Sequence, residues 1–194
     1  MFDQDWTFAG MRNTETSQIA RGLKQRDVAL LHILVEQYQY RLVRYLTYLL
    51  GRRDAVDDLV QETWLRVLER GHSYDGKSRF EPWLFTVARN LALDSVRKRQ
   101  VFSLDTNDTL QPPASQAPSP FEQAARTEDA HRLAQSLATL EPHYREALLL
   151  RFQEDLSLEE MSGVVGAPVS TVSSRIYRGL AALRAQMEGT SHAR

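Results

Sequence analysis

Ser157-Leu158-Glu159-Glu160-Met161-Ser162-Gly163-Val164-Val165-Gly166-Ala167-Pro168-Val169-Ser170-Thr171-Val172-Ser173-Ser174-Arg175-Ile176-Tyr177-Arg178 reads as two helices and the turn between them. Ser157 and Glu160 have the spacing of a capping box, in which a hydroxyl oxygen and a carboxylate satisfy free amides at a helix start. Leu158, Met161, Val164 and Val165 then recur at helical intervals, and Gly166-Ala167-Pro168 supplies the turn. A second apolar stripe follows, Val169, Val172, Ile176, Leu180, Leu183 and Met187. A short helix, a tight turn and a longer helix make the outline of a helix-turn-helix.

The face opposite that second stripe is centred on Thr171, Ser174 and Arg178, with Ser170, Tyr177 and Ala181 beside it. It carries short hydroxyls, an aromatic ring, a guanidinium and no acid. Arg pairs bidentately with guanine edges, and Ser and Thr reach bases or phosphates. An ordinary helical hairpin would also turn a polar face outward. The capping box combined with the lack of acid favours DNA recognition.

Working outward, Leu30, Leu34, Tyr38, Leu42, Leu46 and Leu49 predict a helix over about 27–50, ended by Gly51. Asp54 is placed to cap the next helix, striped by Val56, Leu59, Val60, Thr63 and Val67. A polar loop, 71–79, precedes a third helix that carries Phe80, Trp83, Leu84, Val87, Ala88 and Leu91 on one face, with Pro82 tolerated in its first turn. Between about 101 and 125 the periodicity vanishes, and Pro112, Pro113, Pro118 and Pro120 sit among small polar residues, as in an extended linker. Periodicity resumes at Leu133, Leu137 and Leu140. The expected fold is all-α: two small helical domains, 17–100 and 128–188, joined by a Pro-rich linker at 101–127. Residues 1–16 are read as a disordered amino terminus and 189–194 as a tail.

A chain of 194 residues accommodates two such units. Its formal net charge of -1 gives no overall sign of nucleic-acid binding, but the charge is unevenly spread. Lys77, Arg79, Arg89, Arg97, Lys98 and Arg99 face only Glu81 and Asp94 within 77–99, while Asp54, Asp57 and Asp58 cluster without a base. Such surfaces engage partners of opposite sign, although two solvated helix faces would look the same. With no cysteine, disulfides and thiolate metal sites are excluded. The five His lack metal-ligand spacing, so no metal and no cofactor are expected. No apolar run reaches the length of a membrane span, and no leader-like stretch opens the chain, which predicts a cytoplasmic protein without membrane insertion.

Residues 57–64 and 80–94, together with Arg97-Lys98-Arg99, resemble regions 2.2 to 2.4 of extracytoplasmic-function sigma factors, and 157–184 resemble their region 4. The two matches stand in the family's order across a Pro-rich linker. The resemblance implies a non-catalytic initiation factor that binds core RNA polymerase, reads the minus-ten and minus-thirty-five elements of promoter DNA, and is held in check by an anti-sigma factor. It implies that Asp58, Gln61 and Glu62 bind the polymerase clamp. Tyr74, Lys77, Arg89, Asn90, Arg97 and Lys98 would contact the minus-ten element, with Tyr74 and Asn90 capturing a flipped base; Tyr74 packed on Phe80 as a loop anchor is the equal alternative. Thr171, Ser173, Ser174, Arg175, Tyr177 and Arg178 would contact the minus-thirty-five element. Ser173 stands where many family members carry Lys or Arg, which implies one phosphate contact fewer. Trp83 reads as core.

Two other functions are weighed. Residues 71–78, Gly-His-Ser-Tyr-Asp-Gly-Lys-Ser, satisfy the phosphate-loop pattern of a nucleotide hydrolase, but that loop works after a buried strand, and here it follows an amphipathic helix. A stand-alone helix-turn-helix regulator explains the carboxy-terminal half and leaves the acidic second helix and basic third helix without a role.

Overall fold

The computed structural model describes residues 5–51, 55–106 and 128–191, and every regular element among them is helical. Helix α1 (Asp5–Gln25) is followed at once by α2 (Val28–Leu50). The Asp27 carboxylate starts α2 by accepting from the amides of Ala29 and Leu30 at 2.9 and 3.2 Å. Gly51 ends it in the left-handed conformation. Helix α3 (Val56–Arg70) starts after Ala55, which makes no side-chain cap; the expected cap Asp54 lies outside the described residues. A single 3-10 turn (Gly71–Ser73) and a short loop lead to α4 (Phe80–Thr106).

Two boundaries differ from expectation. Residues 5–16 belong to α1 instead of a disordered amino terminus, because a helix anchored by the buried Ile19, Ala20 and Leu23 gains one backbone hydrogen bond for each residue added. Helix α4 continues through Thr106, so the first residues assigned to the linker are helical, and the rest of the linker, 107–127, lies outside the described residues.

The second unit holds α5 (Glu128–Thr139), α6 (Pro142–Leu148), α7 (Leu158–Val165) and α8 (Val169–Ser191), the last reaching into the expected tail. Helix α6 widens into a π turn (Leu149–Gln153), and the chain then bends at Asp155, whose φ is +51°. The capping box forms: Ser157 Oγ accepts from the Glu160 amide at 3.1 Å, and Glu160 Oε2 accepts from the Ser157 amide at 2.8 Å. Gly166, at φ +65°, makes the turn between α7 and α8, a conformation that a side chain would strain.

The two units pack against each other. Leu150, Leu156, Met161, Val164 and Val172 join the same apolar cluster as Leu42 and Leu46 of α2 and Leu84, Phe85 and Ala88 of α4. Around it runs a set of ion pairs. Glu154, 1 % exposed, accepts from Arg41 Nε at 2.7 Å and Arg44 Nη2 at 2.8 Å. Glu146 Oε1 accepts from Arg89 Nε at 2.7 Å and from the Tyr45 hydroxyl at 2.9 Å. Arg79 donates to the Asp155 carbonyl at 2.9 Å and lies 3.7 Å from Glu160.

Candidate nucleic-acid interface

Helix α8 turns its apolar side onto α6 and α7, burying Val172 and partly burying Ile176 and Leu183. Gly179 lets the two helices approach closely: a Cβ there would meet Tyr144 and Leu148 at 3.3 Å. The opposite side of α8 faces solvent with Ser173, Ser174, Tyr177 and Arg178 exposed and Thr171 and Arg175 half-buried, so the six residues selected from sequence fall on one outward surface. Tyr177 is 77 % exposed, too open to serve the core.

An open groove of about 460 Å³ runs beside this surface, lined by His143, Tyr144, Ser170, Thr171, Ser174, Arg175 and Arg178, with no carboxylate. His143 and Tyr144, which sequence reading missed, reach the groove from α6, their rings 4.0 Å apart. The signal for them was Gly179, a small residue at the crossing of α6 and α8. Two guanidiniums among hydroxyls and aromatics can bind phosphate and base edges together.

On α3, Asp58 and Gln61 are exposed, while Glu62 is half-buried and accepts from Arg66 Nε at 3.1 Å. Leu65, on the same face one turn on, is 53 % exposed, which gives the acidic surface an apolar edge. Asp57 and Asp58 also sit in the first turn of α3, where negative charge favours the helix itself.

The minus-ten candidates are split. Asn90, Arg97 and Lys98 are exposed along α4, with Arg97 loosely paired to Asp94 at 3.5 Å. Lys77 is exposed in the loop, 3.7 Å from Asp75, whose carboxylate also accepts from the Lys77 amide at 3.0 Å. Arg89 instead turns into the contact between the units and pairs with Glu146. Tyr74 takes the second of its two expected places, packed on Phe80. It is 1 % exposed, its ring packs on Phe80 (5.4 Å between centroids) and Trp83 (5.6 Å), and its hydroxyl donates to the Ser78 carbonyl at 2.5 Å. Burial, followed by the nearby Glu81, pushes its phenol up to about 12. In this conformation no base can stack on it, and Tyr74 serves as the anchor of the loop. Gly76 closes the same loop against α1 at φ +73°, where a Cβ would meet Ala20 at 2.9 Å. Trp83, half-buried on this aromatic cluster, sits with the core as expected.

This geometry does not fit the hydrolase reading. Residues 71–73 form a 3-10 turn continuing helix α3, there is no strand among the described residues for a phosphate loop to follow, and the tyrosine at its centre is buried. Among the described residues no cluster of potential metal ligands occurs, and no helix is long and apolar enough to cross a membrane.

Comparison with known proteins agrees with the arrangement of two units. Residues 34–101 match the sigma-70 region 2 family, and residues 130–183 match sigma-70 region 4. The ECF RNA polymerase sigma factor SigX of Bacillus subtilis is 30 % identical over 164 residues, covering 80 % of this chain and 82 % of the relative. SigM of the same species is 32 % identical over 155 residues, covering 78 % and 91 %. SigE of Mycolicibacterium smegmatis is 32 % identical over 184 residues, covering 94 % and 71 %. In fold, the chain is similar to the sigma factor RpoE in complex with the anti-sigma factor NepR from Bartonella quintana, with a TM-score of 0.71 and 23 % identity over 81 % of this chain and 96 % of that one. With region 2 and region 4 in order and curated relatives matched over most of their length, the chain belongs to the extracytoplasmic-function sigma factors, the transcription initiation factors of RNA polymerase.

Proposed function

We propose that the amino-terminal unit, 17–100, docks on core RNA polymerase and reads the minus-ten element, while the carboxy-terminal unit, 128–188, reads the minus-thirty-five element. The observation that carries this reading is the outward surface of α8, acid-free and rich in donors, beside a groove holding Arg175 and Arg178. Ser174, Tyr177 and Arg178 read base edges, Thr171 and Arg175 hold the helix in register through phosphates, and Ser173 lies on the same surface without the charge for a strong phosphate contact. Asp58, Gln61 and Glu62 bind a basic surface of the polymerase, with Leu65 as the apolar edge of that contact. Asn90, Lys77, Arg97 and Lys98 follow the minus-ten strands. The chain catalyses no reaction of its own and acts in the cytoplasm with the polymerase. An anti-sigma factor restrains it, a reading supported by the similar fold of the sigma factor RpoE solved with the anti-sigma factor NepR.

The test is a pull-down on core polymerase together with in vitro transcription from a promoter library. Asp58→Lys with Glu62→Lys is expected to weaken polymerase binding at least tenfold while the fold stays intact, because Asp58 is exposed and the Glu62 side chain is 41 % exposed with no partner outside its own helix. Unchanged affinity would remove the clamp assignment. Absence of any promoter-specific transcript with the wild-type chain would remove the whole reading.

A further inference from the structure

Among the residues lining the groove beside α8, His143 and Tyr144 stand apart, because they come from α6 and lie outside the helix-turn-helix. Gly179 sets their place. With no side chain there, α8 crosses α6 close against Tyr144 and Leu148, and the His143 ring rests 4.0 Å from that of Tyr144. A helix with its side chains is about 10 to 12 Å across, and the major groove of duplex DNA is about 12 Å wide. Once α8 fills that groove, no neighbouring helix can enter it. A side chain on α6 beside α8 therefore meets the strand that borders the groove, where it finds phosphate and no base edge.

His143 is equipped for such a contact. Its side chain is 42 % exposed, and Nδ1 lies 3.5 Å from the carboxylate of Glu141, itself 70 % exposed. That separation is beyond a good hydrogen bond and the pair stands in water, so a phosphate oxygen can engage the ring without breaking a strong contact. Across the groove on α8 the charged neighbours are Arg175 and Arg178. The other helices meet α6 elsewhere: α2 and α4 through Tyr48 beside the buried Arg145 and through Tyr45 and Arg89 on the buried Glu146, and α5 through Leu137, Leu140 and the Ala138 carbonyl. A phosphate entering the groove adds negative charge beside the ring and favours the imidazolium, which donates from both nitrogens.

We propose that His143 is a phosphate-positioning residue of the minus-thirty-five contact, outside the recognition helix, and that it takes up a proton as the duplex binds. The inference rests on the assignment of α8 to the minus-thirty-five element. Promoter affinity then rises as pH falls through the ordinary histidine range, whereas Arg175 and Arg178 stay charged throughout.

The test uses the full chain assembled on core polymerase and a duplex promoter that the wild-type assembly selects from a random library. Affinity is measured at about pH 8 and about pH 5.5, on either side of the ordinary histidine range, over a series of salt concentrations. Each variant is referred to the wild type at the same pH, which removes the polymerase's own response. His143→Gln should match the wild type at the higher pH and bind about three- to tenfold more weakly at the lower one, as expected for one charge-assisted contact. At the lower pH its slope of log affinity against log salt should be smaller by about 0.9, the share of one phosphate contact in a duplex. His143→Arg should show the acid-form affinity at both pH values. Equal binding by His143→Gln and the wild type at both would overturn the proposal, since His143 then makes no contact. An equal loss at both would overturn it as well, since no proton then controls the residue. Failure of the underlying reading looks different: the wild-type assembly selects no sequence carrying a minus-thirty-five element.

Discussion

Replacing Tyr74 distinguishes a loop anchor from a base-stacking platform, because the two roles place its energy in different equilibria. The ring is buried between Phe80 and Trp83, and its hydroxyl holds the Ser78 carbonyl. Tyr74→Ala removes a core aromatic, which costs about 3 to 5 kcal/mol of stability in comparable sites. Tyr74→Phe keeps the ring and loses one hydrogen bond, costing about 1 kcal/mol and leaving the Ser78 carbonyl to find water. Urea unfolding, followed in parallel by circular dichroism and tryptophan fluorescence, gives both numbers if the two probes coincide. On promoter DNA, Tyr74→Phe should open complexes at the wild-type rate, and Tyr74→Ala should fail in proportion to its loss of fold. A stability change below about 0.5 kcal/mol for Tyr74→Ala, the size expected of a surface substitution, would refute the anchor. If promoter opening were lost at the same time, Tyr74 would be the base platform that sequence reading proposed.

Arg178→Ala should cost about 1 to 3 kcal/mol at a single minus-thirty-five position in a binding-site selection and relax preference there; a uniform loss across sequences would reduce Arg178 to a phosphate contact. Ser157→Ala deletes half of the observed capping box and should lower stability by about 1 kcal/mol, with a wild-type melting curve as the contrary result. Burial, and then the neighbouring Glu146, hold the Tyr45 phenol well above its ordinary 10.0. The fold therefore keeps this phenolic proton where an unfolded chain would release it. Stability is fully present below pH 10 and declines as pH rises toward the raised value. Tyr45→Phe should flatten that alkaline decline, and two parallel pH curves would contradict it.

Local signals account for what the sequence revealed. Asp27 and Gly51 mark the ends of α2, the Ser157–Glu160 box starts α7 and Gly166 ends it, because caps and left-handed turns are decided within four residues of backbone. The outward surface of α8 is legible for the same reason, since helical period alone sets which residues share it. The stripe facing inward is less faithful: Leu180 and Met187 fit its period yet remain exposed. The misplacements share a different origin. The resemblance gives Tyr74 to base capture and its neighbourhood gives it to an anchor on Phe80, and the ring lies inward on Phe80 and Trp83, neighbours that period predicts for the core without predicting what covers them. The resemblance gives Arg89 to DNA, while its partner Glu146 lies 57 residues away and Glu154 lies 113 from Arg41. No periodicity, cap or motif links residues so far apart. Glu146 and Glu154 are buried where the two units meet, a position that no local signal in the sequence marks. The surface charge of each half is legible from its own helical period, but which charges face water depends on the contact between the halves, where Glu146 and Glu154 are buried beneath residues distant in sequence.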